Sequence, residues 1–435
     1  MTGIRKLKRT PSKVLFMILI VSLMGCATPL PTQESPTPEA TLTPTTTPVA
    51  TTEVVEPEAE GPVTLRVWVP PEFDPAQDSP ASDIFLSRLD EFAARKPNVE
   101  IEVRPKNVDG LGGILDTLTT ASAAAPLALP DLVALPRHGL ETAAEMGVLF
   151  PYDGLTAVLD DPDWYEFARQ LSYLKNTTYG IPFAGDAMIM SYRSEIVPEP
   201  PVDWGASLAV TTTLSYPAAD PNALFTLAQY QSLGAPIVDE NEQPFLDVIF
   251  LTQVFSYYQQ ASASELMPFW LTQFETDDQS WGAYQDSQAD MVITWASRYL
   301  QTPTDVANAT AMPMYDGGTY TLADGWVWTL TTNDPDRQLL SAQLAEFLTT
   351  SEYLARWTDA LGLIPPRPSA TAAWVSSPSQ TLVNQIAPTA RLIPSLDLIN
   401  VLGPVLSPAV VSVLKAEAAP TVAAETAVQK LNAQP

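Results

Sequence analysis

The sequence predicts an α/β protein with parallel strands, and three observations carry that reading. Apolar residues alternate at Val63, Leu65, Val67 and Val69, the period of a strand, and again at Val99, Ile101 and Val103. Between these runs Ile84, Phe85, Leu89, Phe92 and Ala93 recur at helical spacing behind Ser82 and Asp83, and Pro97-Asn98 ends the pattern. The chain has 435 residues, 46% of them hydrophobic, enough for two or three domains with sizeable cores.

The later elements follow in order. Ile114, Leu115, Leu118 and Ala121 predict a second helix. The apolar run 132–135 after Pro130-Asp131 suits a strand covered on both faces, and a helix over 141–146 stops at Gly147. The acidic stretch 160–163 reads as the cap of a helix through Trp164, Phe167 and Leu171, followed by two strand pieces, 179–183 and 187–192. Residues 195–221 are rich in Pro and Ala and give no clear period. Helical spacing resumes at Leu224 and Leu227, at Phe250, Val254 and Tyr257, and at Tyr284 before a strand over 291–295. A strand over 326–330 leads to Asp334-Pro335, a cap with proline at the first helical position, and a helix with Leu340, Leu344, Phe347 and Leu348 on one face. The tail, 407–431, is rich in Ala and Val and helical, and no repeat recurs at a fixed period.

Composition removes several function classes. Lys and Arg total 22 against 50 Asp and Glu, a formal charge of −28, which opposes general affinity for nucleic acid or anionic lipid. One cysteine, Cys26, and one histidine, His138, exclude disulfide frameworks, Cys/His zinc sites and the two-His HExxH motif. No nucleophile elbow, phosphate loop, calcium loop or dinucleotide fingerprint is present, and nothing calls for a cofactor.

The N-terminus reads as an address and a tether. Arg5, Lys6, Lys8, Arg9 and Lys13 precede an apolar run over 14–24, too short for a hydrocarbon core that needs about 20 residues. The run ends in Leu23-Met24-Gly25-Cys26, which resembles the bacterial lipobox and implies cleavage before Cys26 and diacylglycerol on its thiol. An ordinary signal peptide with a chance cysteine is the plainer alternative. Residues 27–60 hold 7 Pro, 10 Thr and six Glu with no basic residue, the composition of an extended linker that reaches up to about 100 Å.

From residue 63 to 370 the order of motifs resembles the extracellular solute-binding proteins of bacterial ABC importers, the maltose-binding-protein-like group. The resemblance lies in VTLRVWV; FAARKPNVEIEV; PDLVALPRHGLETAAEMGVLFPYD; YGIPFAGDAMIMSYRSEI; WGAYQDSQADMVITWASRYL; and the run from GWVWTLTTNDPDRQLL to GLIPPRPSA. Two departures touch loops: Ser287-Gln288 stands where the family has a glycine-rich turn, and VDWGASLAV lacks the family's Trp-Asp-Glu helix start. The resemblance implies a two-lobe periplasmic-binding-protein-like fold with hinge strands between the lobes and a ligand in the cleft. Hinge candidates are 183–186 and 312–326, with a last crossing near Gly362. The implied division is leader 1–25, lipidated Cys26 and tether 26–60, one lobe from 61–184 with 312–360, and the other from 185–311 with 361–435.

The resemblance places Arg137 and His138, just beyond the strand 132–135, against ligand hydroxyls; a surface turn is the alternative. Asp186 falls at the first hinge, where sugar-binding members have a carboxylate that accepts from hydroxyls; it also reads as structural. Trp295, with Arg298 behind it, and Trp326 fall on cleft-facing strands, where aromatic rings offer apolar faces to sugar C–H groups, although Trp serves equally as packing. Trp281 reads as packing, and Trp68 as facing either cleft or solvent. Asp277 with Asp278, and Glu240 with Glu242, have the composition for acid–base work on a glycosidic bond but sit in turn-like sequence and read as solvated loops.

The leading expectation is a non-enzymatic substrate-binding subunit of an ABC importer, monomeric and lipid-anchored at the outer face of the cell membrane, that hands a carbohydrate to permease subunits. A ligand-sensing lipoprotein of the same fold and an anchored extracellular glycosidase are the alternatives.

Overall fold

A computed structural model describes residues 62–124, 128–302 and 307–434, which fall within the compact unit Glu60–Pro435. The leader, Cys26 and the linker lie outside the described residues. The strands are β1 (Val63–Val69), β2 (Val99–Pro105), β3 (Leu132–Pro136), β4 (Tyr173–Leu174), β5 (Thr177–Thr178), β6 (Ile181–Tyr192), β7 (Leu214–Ser215), β8 (Met291–Trp295), β9 (Asn308–Thr310), β10 (Thr321–Leu330) and β11 (Ala390–Leu392). Among the described residues, nine of these form one sheet in the order β2-β1-β3-β10-β6-β8-β7, with β11 beside β10 and β9 beside β6.

Strand direction departs from the expectation of a parallel sheet. β1 is parallel to β2 and β3, and β7 is parallel to β8. β10, however, runs antiparallel to β3 and β6, and β6 runs antiparallel to β8 and β9. Alternation of apolar residues marks a strand but carries no direction. β6 and β10 are long because they cross from one parallel half to the other: the Ile181 end of β6 pairs with β10 and its Tyr192 end with β8. The two-lobe fold with hinge strands is therefore present.

The predicted break in β6 is instead a close approach. Gly185 pairs with Gly325 across the two crossing strands. A Cβ at Gly325 would stand 2.6 Å from the Ala184 carbonyl oxygen, and one at Gly185 would stand 2.8 Å from the Phe167 ring. Glycine here lets a helix press on the sheet without ending the strand. The third crossing follows Gly362, whose φ of +66° closes the helix Ser351–Leu361. The Gly185 N–H then donates to the Ile364 carbonyl at 2.7 Å, and the Ile364 N–H donates back at 2.8 Å.

Helix starts follow capping chemistry, with two corrections. The Ser79 hydroxyl accepts from the Ser82 N–H, so the first helix is Pro80–Arg95 and starts before the Ser82-Asp83 signal. Asp334 accepts from the N–H groups of Asp336 and Arg337 at the start of Pro335–Phe347, as its motif predicts. The acidic stretch near 160 does not cap the helix that follows it, Glu166–Leu171, which has no side-chain cap. Asp161 instead pairs with the buried Arg367, and Asp163 accepts from the Ser369 N–H. Ser287 takes φ +59° where a glycine was expected, so the turn keeps its left-handed shape without one.

One apolar core packs the helices Pro80–Arg95, Pro335–Phe347 and Ser351–Leu361 on the first half of the sheet. A second core joins β7 and β8 to the helices Leu224–Ser232, Val248–Ala263, Leu396–Leu414 and Pro420–Asn432. Leu396–Leu414 is apolar and long enough to cross a membrane. Its inward side buries Leu402, Leu406, Val410 and Val413 within this core, leaving Pro404 and Pro408 on the exposed side. Trp68 faces neither cleft nor solvent: it is 3% exposed in a third core with Leu118 and Leu135, beneath the Lys106 ammonium. Trp281 is buried packing, as expected.

Candidate functional site

The crossing strands gather alternate positions on one face of the sheet. On β6 these are Ala184, Asp186 and Met188; on β10 they are Asp324 and Trp326. Asp324 pairs with Asp186, Trp326 with Ala184, and Trp295 at the end of β8 with Met188. This face floors a cavity of about 520 Å³, whose lining includes Asp186, Trp295, Arg298, Asp324 and Trp326. That volume lies within the usual range for small-molecule sites, roughly 300–1,000 Å³. Trp326 and Trp295 are set against positions four residues apart on β6, about 13 Å along the strand. Both rings are half-buried, and Trp326 is held edge-on by Phe73 at 5.1 Å.

Each polar group has a local cause. Asp186 Oδ1 accepts from its neighbour's N–H, Ala187, at 2.9 Å and from the Ser297 N–H at 3.0 Å. Burial pushes its carboxyl up to about 7, against the hydrogen bonds from Ser297 and Ala187 that pull it down. Burial likewise raises Asp324 to about 6; the Gly325 N–H and the nearby His138 and Arg137 oppose this, and Glu141 adds to it. Arg298 is committed to two carboxylates, Asp277 Oδ2 at 3.1 Å and Asp278.

The sequence-proposed residues therefore divide. Asp186, Trp295, Arg298 and Trp326 line one cavity. Arg137 and His138 do not line it, although Pro136 does. The helix that was expected from Glu141 begins at Arg137, so both residues are already helical. Arg137 then turns to Glu141 one turn on, at 2.5 Å, and borders a separate recess, while His138 Nε2 lies 3.1 Å from Asp109 Oδ2. Cys26 lies outside the described residues.

Sequence reasoning missed Asp324 and read Asp277 as a solvated loop. Asp277 begins the helix Asp277–Gln285, lines the cavity and is raised by burial. Two signals were available: the Thr276–Gln279 capping box, which marks a helix start, and the spacing of two between Asp324 and Trp326, which puts them on one face of a strand. Among the described residues no cluster of His, Cys, Asp and Glu has the make-up of a metal site.

The family model described as bacterial extracellular solute-binding protein matches residues 87–382, well over half of the chain. The chain belongs to that family. Members of this family are solute-binding proteins that act outside the cytoplasm. A maltotriose-binding protein of Pyrococcus abyssi is 29% identical over 185 residues, 40% of this chain and 39% of that relative. The chain thus aligns with about two-fifths of that relative's length. Among solved structures, the cyclic alpha-maltosyl-1,6-maltose binding protein of Arthrobacter globiformis superposes with a TM-score of 0.69 at 16% identity, over 86% of this chain and 99% of that one. The sugar-binding protein MalE from Xanthomonas citri gives 0.68 at 15% identity, over 85% and 96%. Both establish the two-lobe fold of this solute-binding protein.

Proposed function

We propose that this solute-binding protein captures a sugar or oligosaccharide between its lobes and delivers it to the permease of an ABC importer. The observation that carries the reading is the single face on which Asp186 and Asp324 lie between two half-buried tryptophans. Carboxylates accept from hydroxyls and indole faces cover sugar C–H groups, so this face matches the alternating polar and apolar surface of a pyranose. The maltose- and maltotriose-binding relatives support the same ligand class. The lobes are taken as 61–184 with 312–360 and 185–311 with 361–435, joined where β6, β10 and Ile364 meet. Ligand contacts from both lobes favour the closed state, and closure is what a permease would read. A monomer lipid-anchored through Cys26 completes the proposal. Calorimetric titration with malto-oligosaccharides and other neutral saccharides tests it: binding by wild type, weakened by Trp295→Ala and Trp326→Ala, is expected. Binding unaffected by both substitutions would place the ligand elsewhere.

A further inference from the structure

We propose that the saccharide taken by this cavity carries a protonated amine, held between Asp186 and Asp324. The inference deepens the sugar-capture reading and rests on it. The cavity lining contains four carboxylates, Asp186, Asp277, Asp278 and Asp324, and one cation, Arg298. Arg298 is already shared by Asp277 and Asp278. Asp186 and Asp324 stand opposite one another in the strand register, on the face that floors the cavity. Neither has an ion-pair partner among the described residues: Asp186 Oδ1 accepts from the N–H groups of Ala187 and Ser297, and Asp324 Oδ1 from that of Gly325 at 2.7 Å.

The charges behind them are also spoken for. Arg137, which acts on Asp324 from the helix Arg137–Glu145, is paired with Glu141, and His138 lies against Asp109. Asp277, facing Asp186 from the next helix, adds negative charge. Two half-buried carboxylates without a cation need donors, and an ammonium meets that need better than neutral hydroxyls because its hydrogen bonds are charge-assisted. The elevated titration of both acids agrees with a site awaiting positive charge. Trp295 and Trp326 beside the pair add faces that attract a cation, a contribution neutral sugars do not receive.

Matched oligosaccharides decide the matter. The full chain is titrated with glucosamine oligomers, with their N-acetylated counterparts of equal length, and with malto-oligosaccharides at neutral pH. The glucosamine oligomer is expected to bind roughly tenfold or more tightly than either neutral series, and Asp186→Asn with Asp324→Asn to abolish that preference while leaving the melting temperature no lower than wild type. A neutral series that binds as tightly as the amine overturns the inference and leaves the sugar reading standing. Binding of spermidine, lost in the same double variant, with no binding of any saccharide keeps the amine and overturns the sugar. An amine preference that survives the double variant, or no binding of any probe, overturns the inference.

Discussion

Asp186 and Asp324 are register partners on adjacent antiparallel strands, one on each of the two long strands that cross between the lobes. Opposing acids in a sheet are unfavourable, and burial raises both carboxyls, to about 7 and about 6. A fold that keeps such a pair gives up stability there, which is the pattern expected of the proposed ligand site.

The stability effect has a definite sign. Asp186 in the folded protein holds its proton to about 7, well above the ordinary 3.8, so its contribution is full below pH 3.8 and is lost as pH rises through about 7. Wild type measured against Asp186→Asn by urea unfolding is expected to lose on the order of 4 kcal/mol relative to the variant across that window. A difference independent of pH would show that the carboxyl is not held neutral.

The two cavity tryptophans differ in what supports them. Trp326 packs edge-on against Phe73, while Trp295 has no aromatic partner among the described residues. Either change to Ala is expected to weaken ligand binding by roughly 1–3 kcal/mol. Both rings pack on an apolar core, but Trp326→Ala should lower the melting temperature further, through loss of an aromatic pair of about 0.5–1.5 kcal/mol. Titration and thermal melts on both variants separate the two roles.

Gly325→Ala tests the crossing. The added methyl would meet the Ala184 carbonyl oxygen at 2.6 Å and Leu171 at 2.9 Å, and a backbone atom in a paired strand has little room to yield. Destabilisation of about 1–3 kcal/mol is expected, read from the denaturant midpoint. The same change at Gly282, with nothing within 4 Å, serves as the tolerated control.

Anchoring is tested at Cys26. Cys26→Ala expressed in a bacterial host is expected to take up no radiolabelled fatty acid. Label that still enters the variant would remove the lipid anchor from the proposal.

The site was partly legible because its residues are of unusual type at strand ends. Trp295 ends an apolar run and Trp326 opens one, so their positions were readable even though their common face was not. Asp277 was obscured for a physical reason: an acid in polar sequence looks the same whether it meets water or a cavity wall. Arg137 and His138 were misplaced because the helix began four residues earlier than its apolar residues signalled, which turned Arg137 to Glu141 on the same helix and His138 to Asp109 in the loop after β2.

By itself the sequence determined the α/β class, most element positions, the helix caps at Asp334 and Gly147, and the family through its order of motifs. These are local properties, set by apolar period and by the hydrogen-bonding needs of helix ends. Tertiary structure alone decided the direction of β6 and β10, the opposition of Gly185 to Gly325 and of Asp186 to Asp324, and the burial of Trp68. Each of these depends on pairing between residues more than a hundred positions apart or on packing from several elements at once, and no local period records it.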